Sequence, residues 1–157
     1  MSQIAACLWF DTQALEAAEF YVSLFKNSKL GAVSYYGEGA QMPKGTVLTA
    51  AFELDGRAFT ALNGGPMYQF TEAVSFQISC EDQAEVDRYW DALSDGGKPG
   101  PCGWIKDRYG LSWQVVPKVL PQILGGGDAA RSKRAFGAMM KMGKLDIAAL
   151  EAAAAGE

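Results

Sequence analysis

The chain has 157 residues, 49% of them apolar and 20% charged, with a formal net charge of −4. That size and balance suit one compact domain with a real core, and they disfavour nucleic acid, which calls for a basic surface. The absence of histidine removes Ser-His and Cys-His nucleophile pairs, imidazole metal sites and the side chain best suited to proton transfer near neutral pH.

The first stretch, MSQIAACLWFDTQ, has neither a basic start nor a long apolar run. No segment approaches the ~18 uninterrupted apolar residues of a membrane span. The reading is therefore a cytoplasmic protein with no membrane partner. Cys7, Cys80 and Cys102 are an odd set at unpatterned spacing, which suits reduced thiols better than a disulfide framework.

Ile4 to Phe10 alternates as a strand, with Ile4, Ala6, Leu8 and Phe10 on one face. Asp11 and Thr12 offer caps for a helix whose apolar series is Ala17, Phe20, Tyr21, Leu24 and Phe25. A strand is predicted over Ala32 to Tyr36. After the looser stretch GEGAQMPKG come strands over Thr46 to Leu54 and Arg57 to Leu62, joined by Asp55-Gly56, a strong two-residue hairpin signal. From Val74 the grammar returns. Val74, Phe76, Ile78 and Cys80 alternate with Ser75, Gln77 and Ser79, Asp82 and Glu85 resemble a capping box, and Val86, Tyr89, Trp90 and Leu93 have helical spacing up to the stop at Gly96-Gly97. The helix cores FYVSL and YWDAL lie 69 residues apart, so the chain reads as a βαβββ unit used twice. The second copy closes with Trp104-Ile105-Lys106, a turn from Asp107 to Gly110 and a strand over Leu111 to Val116. Beyond Pro117, VLPQIL, the Gly125-Gly126-Gly127 breaker and helices from Asp128 and from Asp146 form a helical tail. The expected division is 1–66 for the first module, 67–120 for the second and 121–157 for the tail, all within one compact domain.

Gln114 raises a question, because a glutamine stands inside the last strand of the second copy, between Trp113 and Val115. Buried without a partner, its amide would cost roughly 1–3 kcal/mol. Alternation places Ser75 and Gln77 on the face away from the helix, as it does Cys7 and Trp9 in the first copy. That face is either the wall of a cavity or simply a solvated sheet face.

LWFDTQALEAAEFYVSLF, FELDGRAF followed by ALNGGP, VSFQISCEDQAEVDRYWDAL, CGWIKDRYGLSWQVVP and the tail motif MMKMGKLDIAALE together resemble the PhnB-like branch of the vicinal oxygen chelate superfamily. That superfamily includes glyoxalases, bleomycin-resistance proteins and dioxygenases, and this branch carries the inherited label 3-demethylubiquinone-9 3-methyltransferase. The resemblance implies an α+β fold of two βαβββ modules forming curved sheets around a cleft, with a C-terminal helical tail, commonly assembled as a homodimer, and it turns the faces that carry Ser112 and Gln114, and Thr60, toward that cleft. Fold alone does not fix chemistry. The metal ligands of metal-using relatives correspond by this resemblance to Ala5, Thr60, Ser75 and Gln114. Those side chains are too weak a donor set for zinc, nickel or iron, so neither a metal nor a cofactor is expected. Methyl transfer finds no support either, since the glycine-spaced GEGA of Gly37 to Ala40 opens no predicted helix.

The expected function is metal-independent binding of a small organic ligand by Cys7, Trp9, Thr60, Ser75, Gln77, Trp104 and Gln114, a mixture of aromatic walls and placed polar groups. A metal-free enzyme in the same cleft is the first alternative, with Cys7 as nucleophile or Glu53 or Asp107 as base, although Asp107 is well explained as a turn residue. The second is an interaction module whose cleft is vestigial. In the tail, Phe136, Met139 and Met140 are expected to pack on the sheet or on a second subunit.

Overall fold

The computed structural model describes residues 3–157. The chain falls into two compact units, one ending at Phe70 and one beginning at Thr71.

The first unit runs β1 (Ala6–Phe10), α1 (Ala14–Leu24), β2 (Lys29–Tyr35), β3 (Val47–Leu54) and β4 (Arg57–Asn63). Its four strands form one mixed sheet in the order β1-β4-β3-β2, with β1 parallel to β4. Alternation decides which residues are buried. Leu8 and Phe10 of β1, Ala50, Phe52 and Leu54 of β3, and Phe59 and Ala61 of β4 are all buried, together with Ala14, Ala17, Ala18 and Tyr21 of α1. Tyr21 stacks on Phe52, and Phe52 on Phe59, at ring separations of 6.2 and 5.1 Å. This aromatic seam fixes the helix on one face of the sheet. Between β3 and β4, Asp55 and Gly56 both take positive φ, +48° and +74°, as a two-residue hairpin turn of the primed type requires.

Two sequence expectations need correction here. Asp11 and Thr12 do not cap α1; the residue before the helix is Gln13, which makes no capping bond. The Ala14 N–H instead donates to Asn63 Oδ1 at the end of β4, 2.8 Å away. Asn63 is buried, and its amide also donates to the Val47 carbonyl. A long-range acceptor therefore satisfies the orphan helix donor that a local cap would have taken. The strand also begins later than expected, at Ala6, because its register with β4 starts at Ala6 opposite Phe59. Ile4 lies outside the ladder and is fully exposed.

The second unit repeats the order as β5 (Ser75–Cys80), α2 (Gln83–Ser94), β6 (Lys98–Pro99), β7 (Trp104–Lys106) and β8 (Ser112–Pro117). Its sheet is ordered β5-β8-β7-β6, with β5 parallel to β8. Val86, Tyr89, Trp90 and Leu93 of α2 are buried, as are Ile78, Cys80, Ile105, Trp113 and Val115 of the sheet. Asp82 caps α2 by accepting from the Glu85 N–H at 2.9 Å, and Glu85 reaches back to the Glu81 N–H at 2.9 Å, a near relative of the capping box. Val74 precedes β5 and is exposed, so the expectation that it faces the helix does not hold.

The tail of this unit consists of α3 (Leu120–Gly125), α4 (Ala129–Met139) and α5 (Ile147–Ala155). Leu120, Ile123, Ala135, Leu145, Leu150 and Ala154 make a small core of their own, with Val116 and Met139 packed against it. Gln83 ties the tail to α2, donating to the Leu145 carbonyl and accepting from the Ile147 N–H. Lys144 forms an ion pair with Asp87 at 2.9 Å.

Candidate functional site

Register places the polar residues of the second sheet in two rows across its helix-free face, since side chains of paired residues point to the same side. One row is Lys98, Lys106, Ser112 and Ser75, from the pairings of β6 with β7, β7 with β8 and β8 with β5. The other is Trp104, Gln114 and Gln77. Gln114 thus points away from α2 and is not stranded. Its Nε2 donates to Ser75 Oγ at 2.9 Å, and its Oε1 accepts from Gln77 Nε2 at 3.3 Å. The amide cost that a buried glutamine would carry is offset by a short ladder of neutral polar groups.

At the β6–β7 end of this face lies a concavity of about 520 Å³, lined among others by Glu72, Lys98, Pro99, Trp104, Lys106 and Ser112. A volume of that order suits a small organic ligand. Lys106 Nζ is 2.6 Å from Glu72 Oε1. The ammonium of Lys106 holds the Glu72 carboxyl below the usual carboxylate range, with a smaller contribution from Lys98. Ser112 is 1% exposed, and among the described residues its Oγ is the buried side-chain polar atom that has no hydrogen-bond partner.

The β7–β8 turn keeps these residues in place. Asp107 is buried; its Oδ1 accepts from the Tyr109 and Leu111 N–H groups at 2.8 and 3.1 Å, and its Oδ2 accepts from Trp113 Nε1 at 2.9 Å. The turn role expected of Asp107 is therefore only part of what it does, because the same carboxylate anchors a buried indole. Both oxygens are engaged in this way, which commits Asp107 to structure rather than to proton transfer.

In the first unit, Cys7 pairs in register with Thr60, and Trp9 with Leu62, on the face away from α1. Cys7 is exposed. Trp9 is half-buried; its Nε1 donates to the Gly65 carbonyl at 2.8 Å and its ring meets Tyr68 edge-on at 5.0 Å. Gly64 makes this possible, since a Cβ there would fall 2.2 Å from the indole. Trp9 is thus held rigidly by its own unit. Glu53, weighed in the sequence as a base, forms an ion pair with Lys29 at 3.2 Å.

Cys80 lies under α2, where burial pushes its thiol up to about 12 and leaves it unionised and unreactive at neutral pH. Cys102 sits at positive φ and contacts the Met139 carbonyl and the Met140 sulfur.

The residues that the resemblance sets at the ligand positions of metal-using relatives are weak donors for a divalent transition metal. Ala5 offers no ligand atom, and the Gln114 amide is taken up by Ser75 and Gln77. Among the described residues, no group of three His, Cys, Asp or Glu side chains gathers where an ion could be held. GEGA at Gly37 to Ala40 leads into β3 rather than into a helix, so it lacks the strand–turn–helix geometry of a nucleotide loop.

Sequence reasoning missed Glu72, Lys98 and Lys106. The available signal was the register of the second hairpin, which sets the lysines opposite one another, but the two-residue β6 is too short to declare itself by alternation.

A family model described as 3-demethylubiquinone-9 3-methyltransferase matches residues 2–116. A PhnB protein from Bacillus cereus, described under the same methyltransferase name, superposes with a TM-score of 0.67 at 32% identity, covering 74% of this chain and 99% of its own. Protein PA1353 from Pseudomonas aeruginosa superposes with a TM-score of 0.62 at 21% identity, covering 75% of this chain and 98% of its own. A fosfomycin resistance protein, FosX, from Listeria monocytogenes gives a TM-score of 0.49 at 17% identity, covering 72% of this chain and 90% of its own. Among curated proteins none matches the sequence.

Proposed function

Because the chain belongs to the 3-demethylubiquinone-9 3-methyltransferase family, the PhnB-like branch of the vicinal oxygen chelate superfamily, we propose that it is a small-molecule-binding protein that works without a metal. The observation that carries this reading is the second sheet's helix-free face, where a concavity of about 520 Å³ is lined in part by Trp104 and the Ser75–Gln114–Gln77 ladder lies on the next strands of the same face, outside that lining. An aromatic wall supplies apolar contact area, and a preorganised row of amides and hydroxyls supplies orientation at little conformational cost. On the first unit, Cys7, Trp9 and Thr60 form the equivalent face. The absence of histidine and the weak donor set favour recognition by hydrogen bonds over Lewis-acid chemistry. The reading includes a cytoplasmic protein and a homodimer, the latter supported by the exposed Phe136 and Met140 of α4 and its C-cap; among the described residues no helix is long and apolar enough to cross a membrane. Thermal-shift screening of organic metabolites against the wild type and Trp104→Ala tests the binding site. Hits that raise the melting temperature of the wild type but not of the variant are expected. Hits of equal size in both would remove the site from this face.

A further inference from the structure

The row that crosses the second sheet sets Lys98 directly opposite Lys106. Like charges opposite one another on an antiparallel pair are unfavourable, so the fold carries a local cost that packing does not explain. Glu72 relieves it only in part. One carboxylate faces two ammonium groups, which leaves the charged lining of the concavity with an excess of one positive charge. The next residue along the row, Ser112, has a buried hydroxyl without a partner in the wall of the same concavity. A carboxylate offers two oxygens with about four acceptor positions, enough for both lysines and a serine hydroxyl. Trp104, Pro99 and Pro101 line the concavity beside the row and supply an apolar surface for a flat body.

Resting on the small-molecule reading above and giving that ligand its class, we propose that the concavity binds a small organic acid, whose carboxylate lies between Lys98 and Lys106 and whose apolar body lies against Trp104. Glu72 holds the carboxylate position in the free protein. Its side chain is 64% exposed, and it lies in the segment just before β5, so a ligand carboxylate can displace it without disturbing the sheet.

The test is calorimetric titration of the full-length protein with naphthalene-2-carboxylate and with its neutral isostere naphthalene-2-carboxamide, at low salt. The acid is expected to bind about tenfold more tightly than the amide. Glu72→Gln removes the internal competitor and should tighten the acid by about fivefold, the scale of an exposed ion pair, while leaving the amide unchanged. Lys106→Met should bring the acid down to the level of the amide, and Lys98→Met serves as a second variant that leaves the Glu72 pair intact. Equal binding of acid and amide by the wild type, or an acid-to-amide ratio unmoved by Glu72→Gln, would overturn the assignment. Binding of neither probe would overturn it too, and the metabolite screen then separates the two ideas. Neutral hits would leave small-molecule binding standing, whereas a screen without hits would remove both.

Discussion

Asp107→Asn probes the turn that positions Lys106 and Ser112. Asparagine can keep one oxygen facing the Tyr109 and Leu111 N–H groups, but it then turns its NH₂ toward Trp113 Nε1, where the native Oδ2 accepts at 2.9 Å. Both asparagine and tryptophan would offer donors to each other at a site where Asp107 and Trp113 are 3% exposed. Leaving that indole unsatisfied costs about 1–3 kcal/mol, and losing charge assistance at the two backbone bonds adds about 1, for a total of roughly 2–4 kcal/mol. In urea this corresponds to a fall in midpoint of about 1–2 M. The decisive version is a double-mutant cycle. Trp113→Phe removes the donor, so adding Asp107→Asn to that background should cost only about 1 kcal/mol, with a coupling of about 1–3 kcal/mol. Equal costs of Asp107→Asn in both backgrounds would refute the claim that the carboxylate anchors the indole.

Gly64→Ala places a Cβ 2.2 Å from the Trp9 ring and should cost about 1–3 kcal/mol in chemical denaturation by displacing the indole from the Gly65 carbonyl; Trp9→Phe, which shrinks the ring, should recover part of that loss. The Asp87–Lys144 pair gives a pH signature. Lys144, and after it Gln83, hold the Asp87 carboxyl below its ordinary range, and Asp87 raises Lys144. The contribution of Asp87 is therefore present above about pH 4 and lost as pH falls through its lowered folded value; that of Lys144 is present below about pH 10.4 and lost as pH rises through its raised one. The stability difference between the wild type and Asp87→Asn should be flat from about pH 5 to 9 and shrink outside that window, and a difference that keeps growing below about pH 4 would contradict the pairing.

Local patterns made much of this fold legible. Strand alternation, the Asp55-Gly56 hairpin and the Asp82 cap act over a few residues, and each stands where its chemistry indicates. The failures all involve distant partners. Asn63 replaces a local cap for α1 from 49 positions away, and no periodicity encodes that. Ile4 and Val74 look like strand residues but have no ladder to join. In the candidate site the direction of Gln114 followed from the family resemblance, whereas its partners depend on the β5–β8 register. The Glu72–Lys106 pair depends on where the segment before β5 runs, which composition does not reveal.

Metal independence of ligand binding is open to direct measurement. The best ligand from the metabolite screen would be titrated calorimetrically into protein stripped by chelator and into protein reloaded with zinc, manganese or iron, with elemental analysis of each sample. The same Kd is expected in every sample, with no stoichiometric transition metal in untagged protein purified without chelator. Binding that vanishes on stripping and returns with one metal would contradict it.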